Sequence, residues 1–379
     1  MSPFTLIKII LITLLISLTE CHKDNSNLPK ISPPPKAVVN HVYGQMVIPP
    51  QFDSANDFKE GLASVGIGEF PKTKYGFIDK QGHYVINPQF AYAYSFNEGL
   101  AAVDVGDNEI SKWGFIDKKG NMIINPQFDW VDSFSEGLAP VKVGDKKGYI
   151  DLQGHIVINP QFDLALAFNS GLALVRLGNE FTGKWGFIDH QGKYVVNPQL
   201  DNAKPFSEDL AVVSVDGKEG FINKQGNFVI KPQFDVANEF HEGLAAVLIG
   251  KKYGFINKQG NFVINPQFDY AEPFNEGLSA VTVGVSPNNK VGFIDKEGKF
   301  AINPQFDYAN SFSESFAPVI FGKKDSKLGF IDKQGKIVIN PIYETDIIYD
   351  FTLWKNFSEN LAPVLVLQNG KKLYGYIAK

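Results

Sequence analysis

The stretch from Lys112 to Val141, KWGFIDKKGNMIINPQFDWVDSFSEGLAPV, is the clearest copy of a frame that the chain repeats nine times. The prolines of its Pro-Gln-Phe element, or their equivalents, stand at 50, 88, 126, 160, 198, 232, 266, 304 and 341, so the unit is 34 to 38 residues long. Self-similarity at that period means stacked supersecondary units, each too small to bury a core of its own.

Four pieces are legible inside the unit. An alternating apolar run such as Leu100 to Val105 predicts a short half-buried strand. A turn rich in Gly and Lys follows and absorbs the length differences: Gly144–Lys147 is short, Asn179–Lys184 and Ser286–Lys290 are long. Next comes the strand Trp113-Gly114-Phe115-Ile116-Asp117, whose glycine recurs in each copy, as at Gly76, Gly186 and Gly254. A glycine inside a strand weakens it unless backbone or a ring approaches closely there. The Asp-x-x-Gly that ends this strand (Asp79, Asp117, Asp189, Asp332) suits a hairpin turn in which the carboxylate accepts backbone N–H groups. Asn223 and Asn257 replace the acid in two copies; an amide makes the same turn bond but cannot act as acid or base.

A β-branched third strand, Ile123-Ile124 in the quoted copy, is expected to stop at Asn-Pro because proline cannot donate to a ladder. The remaining piece, QFDxAxxFxEG, holds Phe128 and Phe134. It reads as a tight helical turn or as an irregular fourth strand, and a compact turn with both rings in the core is the favoured reading.

The expected fold class is all-β: a tandem array of about nine β-meander repeats, open, curved and solenoid-like. The alternative is a closed β-propeller, because the chain opens on a third-strand-like piece, Gln45 to Ile48, and ends on a second-strand-like one, Lys372 to Ala378. Against closure, nine blades are many and 34 residues are lean for four strands. In an open array the irregular last copy, Tyr343 to Lys355 with Trp354, would cover an exposed end.

The first 41 residues differ. Lys8 precedes an apolar run, Ile9 to Leu18, too short to span a bilayer but suited to export, so residues 1–20 are expected to be a signal peptide. Cys21, the only cysteine, follows that run and resembles the acylated cysteine of a bacterial lipobox, although Glu20 stands where a small residue is usual. Residues 21–41 are then a lipidated, Pro-rich tether (Pro29, Pro33, Pro34, Pro35), and residues 42–379 are the array.

The Lys-Trp-Gly-Phe-Ile-Asp segments at 112–117 and 184–189, each joined to Asn-Pro-Gln and Phe-Ser-Glu, resemble the WG-containing (KWG) β-repeat known from Leptospira-type spirochaetes. The resemblance implies an exported or surface-associated all-β repeat protein and no established reaction. The expected setting is the envelope of a diderm bacterium, with the chain lipid-anchored at the outer membrane or cell surface.

Composition excludes more than it assigns. The net charge is −5 with interspersed signs, and Arg176 is the only arginine, so no nucleic-acid partner is expected. The six histidines show no ligand spacing, so no metal or cofactor is expected, and no nucleophile motif appears. The repeated acids are spread along the array, whereas catalysis by paired carboxylates needs two in one cleft. What varies is the residue after Gln-Phe-Asp or its equivalent (Gln-Phe-Ala before Tyr92, Gln-Leu-Asp before Asn202): Tyr92, Trp130, Tyr270 and Tyr308 are rings, whereas Ser54, Asn202 and Val236 are not. These rings either face water, forming a candidate surface for an unknown protein or glycan, or pack between repeats. The expected function is a non-enzymatic, membrane-tethered interaction module. The alternatives are a hydrolase of surface polymers, for which Glu344, Asp346 and Asp350 are the one irregular acidic group, and a structural spacer.

Overall fold

In the computed structural model the described residues are 42–106, 111–285, 287–322, 326–345 and 356–379. Cys21, the signal and tether segments, Trp354, Asp346 and Asp350 lie outside them. Residues Val42–Lys379 make one compact unit.

Each repeat contributes to a four-stranded antiparallel meander. In the second blade the strands are Tyr92–Ala93, Ala101–Asp104, Trp113–Ile116 and Met122–Phe128, hydrogen-bonded in that order. Eight such sheets follow one another along the chain. The ninth consists of Leu361–Gln368, Lys371–Ala378 and, antiparallel to the latter, Met46–Phe52 from the other end of the unit. Its first strand is reduced to a single bridge between Glu344 and Leu365. The molecule is therefore a closed nine-bladed β-propeller, which corrects the expectation of an open array. The piece that opens the unit and the strand that the last repeat lacks are one and the same. Thirty-four residues suffice for four strands because the first strand is only two residues long.

Closure is visible in the core. Nine apolar clusters each join two consecutive blades, and one of them joins the ninth to the first through Ile48, Phe52, Phe58, Val65, Leu361 and Tyr376. At the centre of every junction lies the same aromatic pair. Phe115 of blade two meets Phe134 of blade three at 4.8 Å, and Phe77–Phe96, Phe187–Phe206 and Phe221–Phe240 repeat that distance. At the closing junction the pair is Tyr376–Phe58 at 5.0 Å, and the Tyr376 hydroxyl donates to the Asn56 carbonyl at 2.7 Å.

Two local expectations need correction. The third piece does not stop at Asn-Pro; Met122–Phe128 runs through it as the blade's fourth, edge strand. Phe115 pairs with Ile124 and Trp113 with Phe128, so the strand carries extra residues around Pro126, at a bulge where no ladder N–H is required. That bulge explains the glycine of the third strand: a Cβ on Gly114 would lie 2.5 Å from the Ile124 carbonyl oxygen. The QFDxAxxFxEG piece is not a helical turn. It crosses into the next blade as the short first strand, with Phe128 and Phe134 both buried.

The repeated glutamate of Phe-x-Glu-Gly clamps adjacent blades. Glu242 adopts a left-handed φ of 52°, a conformation uncommon for a residue with a Cβ. From there its carboxylate accepts the Gly277 N–H of the next blade at 3.0 Å and meets Lys296 of that blade at 3.1 Å. The same N–H bond crosses seven other junctions, including Glu359 to Gly61 at ring closure. The junction between blades four and five lacks it, because Ser170 occupies the glutamate position with a φ of 58°.

Three outcomes follow. Gly114→Ala should lower stability by about 2–4 kcal/mol in chemical denaturation, since the intruding methyl meets backbone. Ser170→Glu should raise it by about 0.5–1 kcal/mol by supplying a ninth clamp opposite Lys224, the modest value expected of a half-exposed pair. Burial raises the Glu242 carboxyl, but Lys296 and the Gly277 N–H outweigh it and hold the group below its ordinary 4.5. The clamp's contribution is thus complete above 4.5 and is lost as pH falls through the lower folded value. Denaturation midpoints should therefore drop as the pH is lowered below 4.5, and drop less in Glu242→Gln.

Candidate binding clefts between blades

In each of the eight four-stranded blades a row of three side-chain positions crosses the first three strands, one register step inside the hairpin loop. In blade three it is Trp130, Lys142 and Lys147; in blade seven Tyr270, Thr282 and Val291; in blade four Leu164, Arg176 and Trp185. The first member is the residue after Gln-Phe-Asp, and the third is the one before the strand glycine. Two residues beyond the first member, on the same side of the chain, stands a further variable position: Asn56, Tyr94, Asp132, Leu166, Lys204, Asn238, Glu272 and Asn310 in blades one to eight. The alanine or valine between the two is buried in most blades, as Ala93, Val131 and Ala271 are. The short first strand thus anchors by its middle residue and presents the variable residues on either side of it.

The loops beside this row carry the insertions. Their tips hold Phe70, Phe181 and Val285, which are 92%, 93% and 81% exposed. Row and loops together form two clefts. One, of about 690 Å³, lies between blades one and two and is lined by Phe70, Thr73, Tyr75, Tyr92 and Asp104 among others. The other, of about 680 Å³, lies between blades seven and eight and is lined by Tyr270, Glu272, Thr282, Val285, Asn289 and Tyr308 among others.

The sequence-predicted rings fall on this row. Tyr92 and Tyr270 are 40% and 45% exposed, and Trp130 and Tyr308 are partly buried. Tyr92, Tyr270 and Tyr308 line the clefts, Trp130 lines neither, and the rings also touch neighbours. Tyr92 packs on Tyr75 at 4.8 Å and on Tyr94 at 5.4 Å, and Tyr94 stacks on Trp113 at 5.2 Å with 19° between planes. Four aromatic side chains from two blades thus form one continuous patch. Trp130 carries the Lys147 ammonium 3.4 Å from its ring centroid, and Tyr270 meets Tyr253 at 5.5 Å.

Charge is distributed unevenly across the second cleft. Asp269 and Asp307 in its wall are neutralised by Lys252 and Lys290, at 2.7 and 2.9 Å. This pairing of the loop lysine with the Gln-Phe-Asp acid recurs around the ring, as in Lys112–Asp129. Glu272 has no such lysine among the described residues; burial raises its carboxyl, and a hydrogen bond with Tyr270 opposes the rise. Burial and the Glu272 charge push the Tyr270 hydroxyl up to about 12.

The remaining predicted positions lie away from the clefts. Asp79, Asp117, Asp189 and Asp332 each accept two backbone N–H groups of their own hairpin, for instance Lys119 and Asn121 at 2.9 and 2.8 Å for Asp117. The Asn121 side chain, donating as well, holds the Asp117 carboxyl below its ordinary value. Asn223 makes the same turn bonds. Gly76, Gly114, Gly186 and Gly254 sit under the Asn-Pro bulge of the fourth strand. Glu344 is ion-paired with Lys327. Glu272, Tyr94 and Lys147 were not singled out from sequence, although aligning the second variable column would have found the first two.

No curated protein matches the chain in sequence. In structure it is similar to dipeptidyl peptidase 4 of Porphyromonas gingivalis (TM-score 0.49, 9% identity, covering 89% of this chain and 65% of that one). It is also similar to the β-propeller domain of the Trilobed protease from Pyrococcus furiosus (TM-score 0.37, 10% identity, 79% and 98%). Similarity to the tricorn protease covers 86% of this chain but only 39% of that one (TM-score 0.26, 11% identity). At these values the likenesses carry no activity across. The WG containing repeat, by contrast, matches nine times: at residues 43–69, 75–108, 113–146, 148–181, 185–218, 220–253, 253–284, 292–324 and 329–371. With nearly the whole ring accounted for by that repeat, the chain belongs to the WG containing repeat family.

Proposed function

We propose that this chain is a non-enzymatic binding ring whose cleft-bearing surface holds a protein or glycan partner. One observation carries the reading: the positions that differ between blades gather in one row beside the insertion loops, while the repeated residues build turns, junctions and core. Exposed aromatic faces and loop-tip Phe70 and Phe181 supply contact area of the kind that interfaces favour. In the same reading the ring is exported and displayed at the bacterial envelope, tethered by residues 21–41 and lipidated at Cys21.

Residues 37–379 used as bait against envelope extracts and a glycan array should retain a partner that Phe70→Ser with Tyr92→Ser releases at least tenfold more readily. A control substitution at the hairpin residue Lys119 should leave retention unchanged. Equal retention by all three chains would refute the assignment of this surface. Labelled palmitate should enter the parent chain and not Cys21→Ala.

A further inference from the structure

We infer that the cleft between blades seven and eight takes an alkylammonium group, seated on the Tyr270 ring beside the Glu272 carboxyl. The inference rests on the binding-ring reading above and adds the chemistry of one ligand group to it.

The molecule contains its own template for this site. In blade three the row begins with an aromatic, Trp130, and ends with Lys147, whose ammonium lies 3.4 Å from the centre of the Trp130 ring. Asp132, two residues after Trp130, attracts the same ammonium. Ring, cation and acid form a unit in which the ring quadrupole and the carboxylate share one positive charge. Blade seven keeps the ring and the acid in the same register: Tyr270 stands at the Trp130 position and Glu272 at the Asp132 position. The third member is Val291, so this blade supplies no ammonium of its own.

The consequence is a carboxyl with an unusual surrounding. Its neighbours in the wall, Asp269 and Asp307, each have a lysine, whereas among the described residues Glu272 has only the Tyr270 hydroxyl. A half-buried carboxylate without a cation is costly, and a ligand ammonium entering the cleft would relieve that cost. With valine at the third position no lysine covers Tyr270, which lines the cleft and is 45% exposed, with Tyr253 set T-shaped against it at 5.5 Å. Val285 at the cleft's rim offers apolar contact for the alkyl stem behind the charge.

The test is calorimetric titration of the full chain with acetyl-Gly-Lys-Gly-amide, its norleucine analogue, and n-butylammonium. The lysine peptide should bind saturably and at least tenfold more tightly than the norleucine peptide. Glu272→Gln and Tyr270→Leu should each weaken it by about tenfold. Val291→Lys, which rebuilds the blade-three unit within the site, should abolish binding while the circular dichroism spectrum and melting temperature are retained. Binding of n-butylammonium as well would identify a free amine as sufficient; binding of the peptide alone would place the group on a peptide lysine, and both support the inference. Equal affinity for the lysine and norleucine peptides, no saturable binding, or full binding by Val291→Lys would overturn it. Retention of an envelope partner that depends on Phe70 and Tyr92, in a chain that ignores ammonium probes, would leave the binding-ring reading standing and this inference refuted.

Discussion

The structure depends on one contact made nine times: a ring from the third strand of a blade against a ring from the crossing segment of the next, at about 5 Å. A two-residue first strand and three short neighbours cannot shield both faces of a sheet. Each blade therefore becomes stable only where its successor's phenylalanine covers it. The same dependence runs around the circle, so no blade is terminal and none needs a polar cap. Closure is the geometric form of that mutual covering, and the edge strand that an open array would have left bare is paired.

Much of this was legible in the residues. The meander, the hairpin turns at Asp117 and Asn223, and the burial of Phe128 and Phe134 follow from turn chemistry and periodicity. Asn-Pro misled because proline's missing donor matters only where a donor is needed; on an edge strand, at a bulge, it is not. The glycine of Trp-Gly announced a close approach without naming what approaches, and Pro126 and Ile124 answer that jointly. Open against closed was not decidable by local pattern. It turns on whether Ile48 finds Tyr376, a pairing of residues at opposite ends of the unit. In the clefts, the first variable column was readable as rings. The pairing of Trp130 with Lys147 was not, because it joins two strands separated in sequence by a hairpin.

Frame and surface are divided in a way that suits divergence. The middle residue of each first strand is held in the inter-blade core, whereas the residues flanking it line the surface to different degrees: Tyr92 and Tyr270 are exposed, while Tyr94 and Leu166 also pack against the core. Substitution at the exposed flanking positions alters the cleft lining more than the junction. The family frame thus specifies a platform, and the row of a particular chain specifies what the platform meets.

The closing strand also bears on how the ring is made. Met46–Phe52 leaves the ribosome early but pairs only with Lys371–Ala378, the last strand of the ring. Until then Ile48 and Phe52, which are wholly buried in the finished molecule, have no partner sheet. Inter-blade contacts between neighbours are local and form quickly, whereas the seam spans the whole ring and carries the loop-closure entropy of that separation. The meeting of first strand with last is thus the contact that completes the ninth sheet and seats Ile48 and Phe52 in the core of the closing junction.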